Sequence, residues 1–87
     1  MKTYTFHSDP GHGWLAVKRQ ELIDLNILNQ ISQFSYQSET GKTVYLEEDC
    51  DAIAFIRAYE LKYGTRPAYK ESYRENTVIR NLLSFKP

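Results

Sequence analysis

The chain has one cysteine, one methionine, three prolines and four glycines in 87 residues, and it carries no net charge. Each scarcity excludes something. A lone Cys50 cannot make an internal disulfide, whereas a short secreted domain usually carries several bridges. Eleven Lys and Arg against eleven Asp and Glu argue against a uniformly basic nucleic-acid binder and against a uniformly acidic mimic of nucleic acid. No apolar run approaches the roughly 18 residues that span a bilayer, and no basic start leads into a long apolar stretch as in a signal peptide. The expected setting is the cytoplasm, with no membrane partner. No repeat, low-complexity tract or linker interrupts the sequence. No motif fixes a reaction, so no catalytic residue is assigned.

What the chain does have is aromatic bulk: one Trp, four Phe and seven Tyr, with 41% apolar and 25% charged residues. That composition belongs to a folded globular chain, here a single domain over residues 1–87. A domain of this size buries only about 60–65% of the surface of its unfolded chain, so its core is thin and leans on large side chains. Without disulfide or metal it gains from a partner or a homodimer.

The patterning predicts an α+β fold. Tyr4 and Phe6 alternate with Thr3, Thr5 and His7 as in a half-buried strand. Asp9-Pro10-Gly11 carries a type II turn signal, and Trp14 to Val17 resumes as a second strand. Lys18 to Leu25 reads as a short helix closed by Asn26 in the left-handed region. Ile31–Gln37 and Thr43–Glu48 flank the turn 38–42 as a second hairpin, with Phe34 and Tyr36 on one face of the first strand and Val44 and Leu46 inward on the second. The longest helix spans Asp51 to about Tyr63, with Ala52, Phe55, Ile56, Tyr59 and Tyr63 on one face. Gly64 stands at its C′ position and Pro67 follows. Tyr69 to Thr77 alternates as an edge strand, and Val78 to Phe85 is apolar enough to dock. The order β-β-α-β-β-α-β predicts a small, mostly antiparallel sheet with one main helix across one face.

Three groups carry chemistry. His7, Asp9 and His12, in H-x-D-x-x-H order, supply the donor types of a site for zinc or another divalent metal, with the turn bending them together. The simpler reading gives Asp9 the opening of the turn, His7 a strand face and His12 a loop tip. As a proton-transfer pair the histidines have a suitable intrinsic pKa, but no nucleophile stands beside them in sequence. Second, Glu47, Glu48, Asp49 and Asp51 surround Cys50. Such carboxylates can hold Mg²⁺. They equally complement the positive end of a helix, with Asp51 capping free N–H groups. Cys50 itself reads as a small buried residue rather than a nucleophile.

Third, the zero charge is a sum. Residues 1–56 hold four basic and eight acidic residues, and residues 57–87 hold seven basic and three acidic ones, so the two parts carry −4 and +4. The basic part interleaves with Tyr59, Tyr63, Tyr69 and Tyr73. Lys70, Arg74 and Arg80 with neighbouring tyrosines suit single-stranded nucleic acid. Tyrosine and arginine are also the favoured anchors of protein interfaces, which makes protein binding the preferred reading.

Two segments, His7-Ser8-Asp9-Pro10-Gly11-His12-Gly13-Trp14-Leu15 and Val44-Tyr45-Leu46-Glu47-Glu48-Asp49-Cys50-Asp51-Ala52, together with Ile31-Ser32 and Ser35-Tyr36, resemble a family of small proteins from bacteriophages, prophages and plasmids. The similarity covers residues 3 to about 85. It implies a setting and not a mechanism: an accessory protein of a mobile element that blocks or redirects a host or defence protein by surface occupation, its partner being a host or phage protein. The expected binding residues are Glu47, Glu48 and Asp49 on one side and Tyr69, Tyr73 and Arg74 on the other. The alternative is a metal-binding or metal-dependent hydrolytic domain using His7, Asp9 and His12, and nucleic-acid binding is the third reading.

Overall fold

The structure is a computed structural model and describes residues 2–75 and 77–87. Its strands are β1 (Thr3–Ser8), β2 (Gly13–Lys18), β3 (Tyr36–Gln37), β4 (Thr43–Glu47), β5 (Ala68–Tyr73) and β6 (Leu83–Ser84). Its helices are α1 (Arg19–Asp24) and α2 (Asp51–Tyr63), with 3₁₀ turns at Leu28–Gln30 and Val78–Asn81. The strands form one sheet in the order β5-β1-β2-β4-β3-β6. Every pairing is antiparallel except β1 with β5, which is parallel because α2 intervenes before β5. The expected α+β architecture, mostly antiparallel with one main helix, is the observed one.

Alternation along the strands sorts side chains onto two faces. Tyr4 on β1, Leu15 and Val17 on β2, and Val44 and Leu46 on β4 are buried with Ala52 and Phe55 of α2. Phe55 is fully buried, and the Tyr4 ring meets it edge-on at 5.3 Å. Such a pair adds about 0.5–1.5 kcal/mol beyond the burial of its area. Leu22, Ile27, Ile31 and Phe85 complete this core. The Tyr4 hydroxyl donates to Glu21 Oε2 at 2.5 Å, and Lys2 and the Lys18 N–H donate to Oε1. Burial and the neighbouring Glu21 carboxylate together push the Tyr4 phenol well above its ordinary range. Burial alone would raise Glu21, but the three donors outweigh it and hold the carboxyl low.

Asn26 adopts φ +58° and Gly64 φ +72°, where their sequence positions placed left-handed residues. Gly41 closes the β3–β4 turn at φ +74°. Gly13 serves differently. A Cβ there would stand 2.3 Å from Phe6 Cζ, so glycine is what lets the Phe6 ring lie across β2.

Six local expectations are corrected. Gly11 is not in the left-handed region. The first turn is instead built on Asp9, whose Oδ1 accepts from the N–H groups of Gly11 and His12, so no type II glycine is required. Only Tyr36–Gln37 of the expected strand 31–37 is extended in the sheet, because Ser32 and Ser35 turn inward to Asp51, leaving Phe34 exposed. Tyr63 lies beyond the core and is about half exposed. Asp51 is not a helix cap; that position belongs to Cys50, which is exposed rather than buried. The expected strand 69–77 stops at Tyr73, and its position 76 lies outside the described residues. The tail docks as expected: Ile79 and Phe85 are buried, and the Phe85 N–H donates to the Ser35 carbonyl.

Candidate interaction surface

The histidine turn is closed by a residue from the far end of the chain. Arg80 donates from Nε to Asp9 Oδ2 at 2.7 Å and from Nη2 to Oδ1 at 2.9 Å, a bidentate pair with a carboxylate that is itself buried. The Arg80 guanidinium and the N–H groups of Gly11 and His12 hold the Asp9 carboxyl far below the usual carboxylate range, although desolvation opposes them. The same guanidinium lies 5.4 Å from the Trp14 ring centre and 2.9 Å from His12 Nδ1. The His12 ring stacks on Trp14 at 5.9 Å with an 18° tilt. Trp14 faces away from α2 and is nonetheless only 2% exposed, because His12, Arg80 and Tyr36 surround it.

His7 goes elsewhere. It stands beside Trp14 in the β1–β2 register and packs against Tyr45 at 5.8 Å. Burial, helped by the nearby Arg74 charge, lowers its pKa. Trp14 is in register with His7 on one side and Glu47 on the other, so an indole separates the imidazole from that carboxylate. Asp9 is spent on Arg80 and two backbone donors, and His12 on Trp14 and Arg80. Among the described residues, no three His, Cys, Asp or Glu side chains gather as a metal ion needs.

The acidic corner also separates into roles. Glu47 accepts from the N–H groups of Asp49 and Cys50 and so fixes the turn into α2. Asp51 is 3% exposed, and its Oδ2 takes the Ser32 N–H, the Ser32 hydroxyl and the Ser35 hydroxyl. Glu48 and Asp49 are exposed. Among the described residues, every buried side-chain nitrogen and oxygen has a hydrogen-bond partner.

On β5 the basic and aromatic residues, interleaved in sequence, part in space. Tyr69, Glu71 and Tyr73 share the α2 face, while Lys70 and Ser72 take the other. Tyr69 and Tyr73 are 56% and 61% exposed. Of the three cations read as a nucleic-acid set, Arg80 is committed to Asp9, and Lys70 lies on the face opposite the tyrosines.

β5 is the end strand of the sheet. The Arg74 N–H donates to the Ser8 carbonyl, so by alternation the N–H groups of Lys70 and Ser72 also point to β1. The backbone groups of Tyr69, Glu71 and Tyr73 therefore line the outer edge. Beside that edge, between α2 and the sheet, lies a groove of about 420 Å³. Phe6, Leu15, Ala52, Ile56 and Tyr69 form its apolar walls, and Glu48 and Glu71 stand on its rim. Tyr69 and Tyr73 are legible in the sequence but the groove is not, since its walls come from four segments distant in sequence. No helix among the described residues is long and apolar enough to cross a membrane. No protein-family model, curated protein or solved structure matches the chain.

Proposed function

We propose that this chain is a small protein-binding module of a mobile element, which occupies a surface of a host or phage protein and performs no catalytic turnover. The observation that carries the reading is the open edge of β5: six residues without proline, paired on one side only, with outward backbone groups and two exposed tyrosines. An exposed strand edge offers main-chain hydrogen bonds to an added strand, and flanking pockets supply specificity. Tyrosine adds large, stiff contact area at small entropic cost. The mobile-element setting rests on the sequence resemblance.

The reading is tested by placing a photo-crosslinking amino acid at Tyr69, at Tyr73 and, as a control, at Leu61, which is 89% exposed on α2. The same host or phage protein is expected from both β5 positions and not from Leu61. No capture above background, or equal capture from all three positions, refutes it.

A further inference from the structure

Resting on the reading that β5 accepts a partner strand, we propose that the groove beside it receives an arginine or lysine side chain carried by that strand. The groove walls are apolar and partly aromatic, with Phe6 and Tyr69 rings 6.2 Å apart. They suit the aliphatic stem of a long cationic side chain, whose tip also gains from aromatic faces. The rim is acidic. Glu48 and Glu71 make no ion pair among the described residues, whereas the cation of the rim, Arg66, is paired with Glu60 at 3.5 Å. The Glu48 carboxylate comes within 3.2 Å of the Cβ position of Gly13, which places it beside the Phe6 ring at the groove.

The occupant is a different protein rather than a second copy. An antiparallel pairing of two β5 strands about a two-fold axis sets residues of the same face opposite one another. Centred on Lys70 it opposes Lys70 to Lys70; centred on Glu71 it opposes Glu71 to Glu71; centred on Ser72 it opposes Lys70 to Arg74. Like charges directly opposite destabilise a strand pair. These three registers, and the one centred on Tyr73 that opposes Glu71 to Glu75, carry that penalty. The register centred on Tyr69 escapes it only by shrinking the pairing to Ala68–Lys70, and in each of them Lys70 of a second copy would project to the face away from the groove. A foreign strand escapes both problems. On the α2 face it needs a basic residue opposite or diagonal to Glu71, with apolar residues two positions away against Tyr69 and Tyr73. On the other face, acidic residues complement Lys70.

The experiment selects binders of the full chain from a yeast-displayed library of random ten-residue segments. Enriched segments are expected to share one Arg or Lys position with apolar residues two places on either side. The Glu48→Gln/Glu71→Gln double variant should weaken them by about tenfold or more, as loss of charge-assisted bonds implies, while Glu39→Gln in the distant turn leaves them unchanged. Tyr73→Pro, which removes an outward N–H together with the ring, should abolish binding where Tyr73→Ala, which removes the ring alone, only weakens it, and bound segments should slow hydrogen exchange at the Tyr69, Glu71 and Tyr73 amides. Segments that need the β5 edge but lack a basic residue, or ignore the glutamate variants, overturn the groove proposal and leave strand addition standing. Binders that neither protect those amides nor respond to Tyr73→Pro overturn strand addition itself. A library that yields no binder overturns both.

Discussion

Asp51 gives the sharpest test of the energetics, because two explanations of the same residue predict different mutants. As a helix cap it would be replaceable by serine, which caps about as well as aspartate. In the structure it is a hub: one carboxylate oxygen, 3% exposed as a residue, receives three donors from Ser32 and Ser35. The Ser35 hydroxyl is fully buried and also accepts the Glu47 N–H at 3.0 Å, so the hub joins the 31–35 loop, the end of β4 and the start of α2. Hydrogen bonds to a charged group contribute about 1.5–3 kcal/mol net, and a buried donor left without an acceptor costs about the same. In Asp51→Ala the Ser35 hydroxyl is stranded while Ser32, nearer the surface, partly rehydrates. Relief of carboxylate desolvation offsets some of this, and the expected loss is about 2–4 kcal/mol. A domain of this length holds only about 4–13 kcal/mol in total. Urea unfolding followed by Trp14 fluorescence would show the midpoint falling by about 2 M at unchanged slope. Asp51→Asn keeps an acceptor of the same reach and should lose about half as much. Asp51→Ser cannot reach Ser35 and should resemble Asp51→Ala within about 1 kcal/mol. If Asp51→Ser instead stays within about 0.5 kcal/mol of the parent, the hub argument is wrong and Asp51 is a cap.

Three further outcomes are expected. The folded state lowers the His7 pKa below the free value of about 6.5, so the unfolded chain binds more protons and stability falls as pH drops from 7 toward 5; His7→Gln should flatten that window in a pH series of urea midpoints. Asp9 is held low by Arg80, so its contribution is complete above the free value of about 3.9 and disappears only in stronger acid; Asp9→Asn should remove the pH dependence it causes below about pH 4, and Arg80→Gln should also shift Trp14 emission by uncovering the ring. Gly13→Ala puts a Cβ within 2.3 Å of Phe6 Cζ; the ring must leave its place, at a cost of about 1–3 kcal/mol by thermal or urea unfolding, and a cost below about 0.5 kcal/mol would contradict the packing described.

Local chemistry was legible where one segment decides its own shape. The apolar spacing of Ala52, Phe55 and Ile56 and the C′ glycine at Gly64 placed α2 at its observed bounds. Asn26 was legible for the same reason: left-handed backbone is a property of the residue. The failures came where a distant partner chose. The segment 31–35 has strand-like residues, but a carboxylate from α2 offers its serines better hydrogen bonds than a neighbouring strand does. Asp9 looked like a turn former or a metal ligand, and its composition suits both. What settles it is Arg80, 71 positions away, and no local pattern announces that pairing.

The same long-range pairing alters the charge argument. Along the sequence the −4 and +4 parts suggested two oppositely charged faces. Folding joins them instead, since Arg80 from the basic part neutralises Asp9 from the acidic part and β5 lies against β1. Glu47 turns its carboxylate to local backbone donors, and Asp51 buries its own among serines. Strand parity then divides what remains of β5, sending Lys70 to one face and Tyr69, Glu71 and Tyr73 to the other. The interleaving that resembled a mixed basic and aromatic surface is therefore two surfaces. The aromatic one is acidic rather than basic, because Glu71 and Glu48 meet at the same groove. Read along the sequence, Tyr69 and Tyr73 belong with Arg74 on a basic face, apart from the acidic one at Glu47, Glu48 and Asp49. Sorted by faces, the tyrosines instead favour a basic partner.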